Sequence, residues 1–280
     1  MKINWFPGHM TKALRMMEEE AKIVDAIIYV LDARAPFSCV NPSFCDFLGE
    51  KPIVYVINKA DIADEEKVRL WQKFFTKKNS IAIIMNSTKT GAAKTIEKAI
   101  LSLKTKKVDK FSEKGITVNL RAMVIGVPNS GKSTLVNNLC GKKRAITGNK
   151  PGVTKGKQWV KIASGLEVLD TPGTLWPSFD DQRIARNLAY INSIKDDIYD
   201  KNELALCLLE DLQKINENIL TNRYGIEKKS TSIETLDAIA TKKNLVIKGG
   251  EKDYDRTCGM ILDDFRKGRL GKITLEVPRG

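Results

Sequence analysis

The sequence predicts an α/β fold, a mostly parallel sheet flanked by helices, followed by an all-helical C-terminal region. Three observations carry this. Short apolar runs rich in β-branched residues read as buried strands at 25–32, 52–58, 80–86, 121–127 and 166–170. Helical patterns separate most of them, at Thr11–Lys22, Glu65–Lys77, Ala93–Leu103 and Ser133–Leu139. Strands alternating with helices build βαβ units and hence a parallel sheet. After Trp176 the texture changes to long helical patterns, at Asn202–Thr221, Ser232–Thr241 and Tyr254–Lys267. The expected division is therefore residues 1–177 and 178–280. The polar, aperiodic stretch 104–116 reads as a linker.

Composition narrows the class. With 42% hydrophobic and 29% charged residues the chain is globular rather than disordered. No apolar run approaches the ~20 residues that span a bilayer, and the N-terminal stretch is charged where a signal peptide needs an apolar core. A cytoplasmic protein without a membrane role is expected. Five scattered cysteines and one histidine exclude a zinc module and suggest buried free thiols. A net charge of +13 favours a polyanionic partner, nucleic acid first among them. A merely well-solvated lysine-rich surface would give the same count.

The strand ends carry the chemistry. Gly126-VPNS-Gly131-Lys132-Ser133 matches the phosphate-binding GxxxxGK[ST] pattern, and it follows a strand and opens a helix as that pattern requires. Backbone N–H groups from Asn129 through Thr134, including Ser130 and Gly131, would cradle phosphates. Lys132 would neutralise the β and γ groups, and the Ser133 hydroxyl would ligate Mg²⁺. Asp170-Thr-Pro-Gly173, about forty residues on, reads as the second Mg²⁺ element, with the Gly173 N–H directed at the γ-phosphate. Between them, Thr154 in Lys150-PGVTKG can complete the Mg²⁺ shell as a switch residue. Asn58-Lys59-Ala60-Asp61 ends an earlier strand. Its Asp61 carboxylate can accept from guanine N1–H and the 2-amino group, which adenine cannot match. Asn86 and Ser87 end the next strand and suit a second base-contacting loop.

The order of these motifs is unusual. The base-recognition motifs precede the phosphate loop, whereas regulatory GTPases place the phosphate loop first. Permuted order, the opening WFPGHM, Asp32-ARA-Pro36, NKAD, GVPNSGKST, KPGVTKG and DTPG together resemble the circularly permuted YlqF-type GTPases. The motifs span roughly residues 1–180. The stretch IxxDFRKGRLGKITLE is similar to that family's helical domain. Permuted families with a zinc module or a leading OB domain fit less well.

The resemblance implies a P-loop GTPase using GTP/GDP and Mg²⁺, acting late in large-subunit ribosome assembly with hydrolysis stimulated by the subunit. It implies an rRNA partner, reached through the basic surface and the C-terminal helices, and a monomer away from the ribosome. The alternative is a nucleotide-gated RNA-binding module whose hydrolysis is incidental. Where Ras-type enzymes carry a water-orienting Gln, this chain has Thr174, and Gln182 is expected to lie in the next helix. The family reading gives water positioning to His9, the single histidine. The other reading makes WFPGH a structural turn, with His9 capping a helix that starts at Thr11. For Asn129 the resemblance implies a K⁺ ligand beside the phosphates; the other reading is an Asn that stabilises the loop. The basic ends around Arg266, Lys267, Arg269 and Lys272 favour RNA modestly.

Overall fold

In the computed structural model, six strands form one sheet in the order β3-β2-β1-β4-β6-β5. Residues 3, 8–89, 91–103, 120–140, 158–162 and 166–278 are described. The strands are β1 Ala26–Asp32, β2 Ile53–Asn58, β3 Ser80–Ile84, β4 Leu120–Ile125, β5 Gln158–Ile162 and β6 Leu166–Asp170. All neighbours pair in parallel except β5 with β6. The five expected strands are present. The unexpected β5 is a short edge strand in which Val160 and Ile162 point inward and Trp159 is exposed. Five residues of alternating character inside a basic, glycine-containing stretch give too weak a signal to read.

Each face of the sheet is covered. Ile28, Val30, Val54, Val56 and Val124 meet α4 (Ala92–Ser102) through Ile96 and Ile100, and α5 (Lys132–Cys140) through Leu135 and Val136. On the other face Ile27, Tyr29, Leu31, Ile57 and Met123 lie in one cluster with α1 (Gly8–Ala21), α3 (Glu65–Phe75) and the C-terminal helices. The short α2 spans Cys45–Leu48. Side chains along β1, β2 and β4 go alternately to the two covered faces, so β1 is buried at every position and the runs read as continuously apolar.

Beyond Trp176 come α6 (Gln182–Tyr190), α7 (Lys201–Ile215), α8 (Asn218–Tyr224), α9 (Ser232–Lys242) and α10 (Tyr254–Arg266). Asp200, Thr231 and Asp253 cap three of them, Thr231 in a capping box with Glu234. The single helix expected over 202–221 is broken. Asn216 leaves helical geometry and its Oδ1 accepts from Asn218 N at 2.9 Å. Asparagine competes for backbone partners in this way, and the break turns Leu220 and Tyr224 into the core. One buried cluster runs continuously across residue 178, and the tail returns to the sheet: Ile273 N donates to Ile62 O and Leu275 N to Arg34 O. The linker at 104–116 lies outside the described residues. Cys39 and Cys258 are buried free thiols, with Cys140 and Cys207 partly buried.

Candidate nucleotide-binding site

The candidate base, phosphate and metal motifs among the described residues fall at the C-terminal ends of parallel strands, so they reach one rim of the sheet, the side on which open α/β sheets bind ligands. Asp32 ends β1, Asn58 ends β2, Asn86 follows β3, the phosphate loop follows β4 and Asp170 ends β6. Permuting the chain leaves this convergence intact, because the sheet and not the sequence order sets it.

The base side is tied together by side chains. Asn58 Nδ2 donates to Ser130 O at 2.8 Å, and Asn58 Oδ1 accepts from Ser87 N at 2.9 Å. One buried amide therefore joins both base loops to the phosphate loop. Lys59, at φ +59°, donates from Nζ to Asn129 O at 2.7 Å and pairs with Asp32 Oδ2 at 2.9 Å. Burial pushes the Asp32 carboxyl up, but Arg34 and Lys59 outweigh it and hold it well below the usual carboxylate range. Asp61 is exposed, which suits a carboxylate kept for a ligand. Asn86 Oδ1 folds back on Thr88 N at 2.9 Å, shaping the loop rather than pointing to a base. Ser87 offers its backbone, and its carbonyl accepts from Asn138 of α5 at 3.0 Å.

A cleft of about 280 Å³ lies here. Asn58, Lys59, Asp61 and Ile62 line it with Asn86, Ser87 and Thr88, and Gly131 and Thr134 close the phosphate end.

The phosphate side differs in character. Lys132 is buried, and its Nζ donates to the loop's own Gly126 O at 3.1 Å and Val127 O at 2.9 Å. Burial lowers its pKa to about 8 against the opposing pull of Asp170. Asp170 is raised by burial, with Lys132 and Ser133 opposing. Its Oδ2 accepts from Ser133 Oγ at 3.3 Å, while Oδ1 is buried with no partner. A hydroxyl beside an unpaired buried carboxylate oxygen, both hard oxygen donors, fits Mg²⁺ completed by phosphate and water. No group of three or more His, Cys, Asp or Glu that could hold a metal occurs among the described residues. Gly173 backs onto the loop so closely that a Cβ there would sit 2.7 Å from Pro128 N. Thr174, where a catalytic Gln would stand, is fully buried with Oγ1 unpartnered.

Other expected residues are placed as follows. Thr154 and the rest of Lys150–Gly156 lie outside the described residues. His9 is the second residue of α1, so it stands inside the first turn and is not a cap before Thr11. Its side chain is outside the described set. Gln182 opens α6, as expected, and is occupied structurally: Oε1 accepts from Ile3 N at 2.7 Å and Nε2 donates to Phe179 O at 3.0 Å. The Asn129 amide donates to Asn192 O at 2.6 Å. The basic residues of the last helix and tail are already paired: Arg266 with Asp196, Lys267 with Asp263, Arg269 with Asp264 and Lys272 with Glu65.

Comparison with known proteins decides the family. The model of the "50S ribosome-binding GTPase" family matches residues 121–246. The ribosome biogenesis GTPase A of Bacillus cereus is 41% identical over 99% of this chain and 95% of its own length. The chain belongs to the ribosome biogenesis GTPase A family. Its fold is that of a P-loop GTPase, and the family hydrolyses GTP. The Thermotoga maritima member is 32% identical over 99% of the chain and 95% of its own length. A crystal structure of GNP-bound YlqF from T. maritima superimposes with a TM-score of 0.66 at 26% identity, covering 96% of this chain and 99% of that one.

Membership explains the permuted order, and the structure adds contacts that motif reading missed. Pro128 O accepts from Ser193 Oγ at 2.6 Å, just after α6. Asp32 and Arg34 of one motif and Lys59 of another form a single charged patch. Arg266 and Lys267 also line the base cleft. An Arg–Lys pair at a helix end gives no local hint of that.

Proposed function

We propose that this GTPase is an assembly factor acting late in maturation of the large ribosomal subunit, and that the subunit accelerates its hydrolysis. The observation that carries the reading is the meeting of Asp61, the phosphate loop and Asp170 on one rim, in a chain whose relatives are named for ribosome biogenesis. The charge of +13 supplies attraction to rRNA phosphates. Residues 1–177 serve as the GTPase domain and 178–280 as the rRNA-facing helical domain of a cytoplasmic monomer. No helix among the described residues is long and apolar enough to cross a membrane.

In this reading Asp61 selects guanine, and Asn58, Lys59, Asn86 and Ser87 shape the pocket. Backbone N–H groups from Asn129 to Thr134 and of Gly173 bind phosphate oxygens. Lys132 leaves its loop carbonyls for the β and γ phosphates. Ser133, Asp170 and Thr154 would hold Mg²⁺, which neutralises phosphate charge. Asn129 Oδ1 would face K⁺, and exchange of K⁺ for Na⁺ should then slow turnover. His9 orients the water that attacks the γ-phosphorus, releasing GDP and phosphate. With Thr174 in place of Gln, unstimulated turnover is expected on the order of 10⁻⁴ s⁻¹, as for intrinsic Ras.

The test is GTP turnover with and without purified large subunits at fixed K⁺ and Mg²⁺. Strong stimulation by the large subunit and none by the small one is the expected result. No stimulation despite tight GTP binding would favour a nucleotide-gated binding module. His9→Ala should keep GTP affinity and lose the stimulated rate; normal stimulated turnover removes His9 from the mechanism.

A further inference from the structure

The cleft beside Asp61 has a wall that the GTPase motifs do not supply. Arg266, the last residue of α10, and its cap Lys267 line it together with Lys59, Asp61 and Thr134. Several independent contacts fix this helix end against the site. Arg34, only 2% exposed, bonds Asp32 through Nε at 2.9 Å and Nη2 at 2.7 Å. Its Nη1 donates to Phe265 O at 3.2 Å and Arg266 O at 3.1 Å. These carbonyls lie at the negative end of the α10 dipole, where a guanidinium is favoured. The same guanidinium stands over the Phe265 ring at 5.3 Å. Asp32 in turn binds Lys59, which binds the phosphate loop at Asn129 O. An unbroken chain of charged contacts therefore joins the phosphate loop to the end of α10.

Packing makes the same link. Gly268 ends the helix at φ +70°, and a Cβ there would lie 2.4 Å from Cγ2 of Ile62, the residue after Asp61. Only glycine allows both that backbone and that approach. Ile273 N then bonds Ile62 O at 3.2 Å. The base-recognition loop thus rests directly on the turn that follows α10.

We propose that the C-terminal end of α10 is part of the guanine-nucleotide site, with Lys267 as a nucleotide-binding residue on its base side and Arg34 as the positioning residue that holds it there. This rests on the reading of the Asp61 cleft as the guanine pocket. Lys267 Nζ pairs with Asp263 Oδ2 at 2.9 Å with both side chains well exposed. Such pairs are weak, so the ammonium exchanges partners at little cost. Contact at the base end is blind to the γ-phosphate. It responds to GDP and GTP alike, so the seating of α10 reports occupancy of the site. Linkage makes the effect reciprocal: whatever seats α10 tightens nucleotide by the same factor.

The experiment uses the full chain and GDP. Dissociation constants for GDP and GTP are measured for the wild type, Lys267→Ala, Lys267→Glu and the charge control Lys272→Ala. Hydrogen exchange across residues 261–269 is followed with and without GDP. Lys267→Ala should weaken both nucleotides equally, by about threefold to tenfold, and Lys267→Glu by more. Lys272→Ala should bind as the wild type. GDP should slow exchange in the last turn of α10 about tenfold. Arg34→Lys keeps the charge beside Asp32 but cannot fork to two carbonyls, and should erase that slowing. Wild-type affinity in both Lys267 variants, or exchange indifferent to GDP, overturns the proposal. A wild-type chain that fails to bind GDP would instead overturn the reading of the cleft.

Discussion

The two ends of the nucleotide cleft are built on opposite principles. At the base end polar groups are mostly spoken for, the buried Ser87 Oγ excepted: Asn58 uses both amide atoms, Lys59 has two partners and Asp32 is held by two cations. At the phosphate end Asp170 Oδ1 and Thr174 Oγ1 are buried without partners, and Lys132 bonds its own loop. Satisfied buried networks fix one geometry, whereas unsatisfied groups carry a desolvation cost that a ligand can relieve. The geometry of the base end is thus set in advance, and the phosphate side has the most to gain from a ligand.

The largest test removes a partner from the satisfied end. Asp32→Asn leaves Arg34 buried beside a neutral amide and should destabilise the fold by about 3–5 kcal/mol, as breaking buried ion pairs does. Chemical denaturation would measure it. The folded pKa of Asp32 lies below the unfolded value of about 4. Its stabilisation is therefore full above about pH 4 and is lost as pH falls toward the folded value. The gap between wild type and Asp32→Asn should be flat from pH 5 to 8 and shrink below about pH 4. A flat gap throughout would mean that the carboxylate does not brace the base end.

A smaller effect sharpens the account of selectivity. Asp61→Asn should weaken GDP about 100-fold, equivalent to about 2.7 kcal/mol. Xanthosine diphosphate should bind the variant better than GDP does, because its 2-carbonyl accepts from the new amide. Competition titration reads both. Unchanged GDP affinity would remove Asp61 from base recognition.

The smallest expected change lies where the phosphate loop meets the helices. Ser193→Ala removes the bond to Pro128 O and should cost about 1 kcal/mol of stability. Thermal unfolding with and without GDP would check it. A much larger loss would show that the phosphate end is braced as firmly as the base end.

Much of this was legible in the sequence because P-loop chemistry demands fixed residue types at fixed spacing. Gly126 to Ser133, Asp61 and Asp170 can be read without a structure, and alternation of apolar runs and helical patterns gave the sheet. What was hidden depends on distance along the chain. Arg34 meets Phe265 O across 231 residues and Ile3 meets Gln182 across 179. No local pattern encodes either contact. Asn216 is a local signal masked by the apolar period on both sides of it. The basic tail hides its partners in the same way: charges that look free in the sequence pair with Asp196, Asp263, Asp264 and Glu65.

Arg34 also sets a schedule for the growing chain. Its two carbonyl partners are made more than 200 residues after it, roughly 10–50 s later at ordinary rates of synthesis. Until then the Nη1 edge of the guanidinium has only water to bond, so the β1 rim cannot close over it. The base end of the cleft, earliest in sequence, is therefore among the last parts of the molecule to be finished.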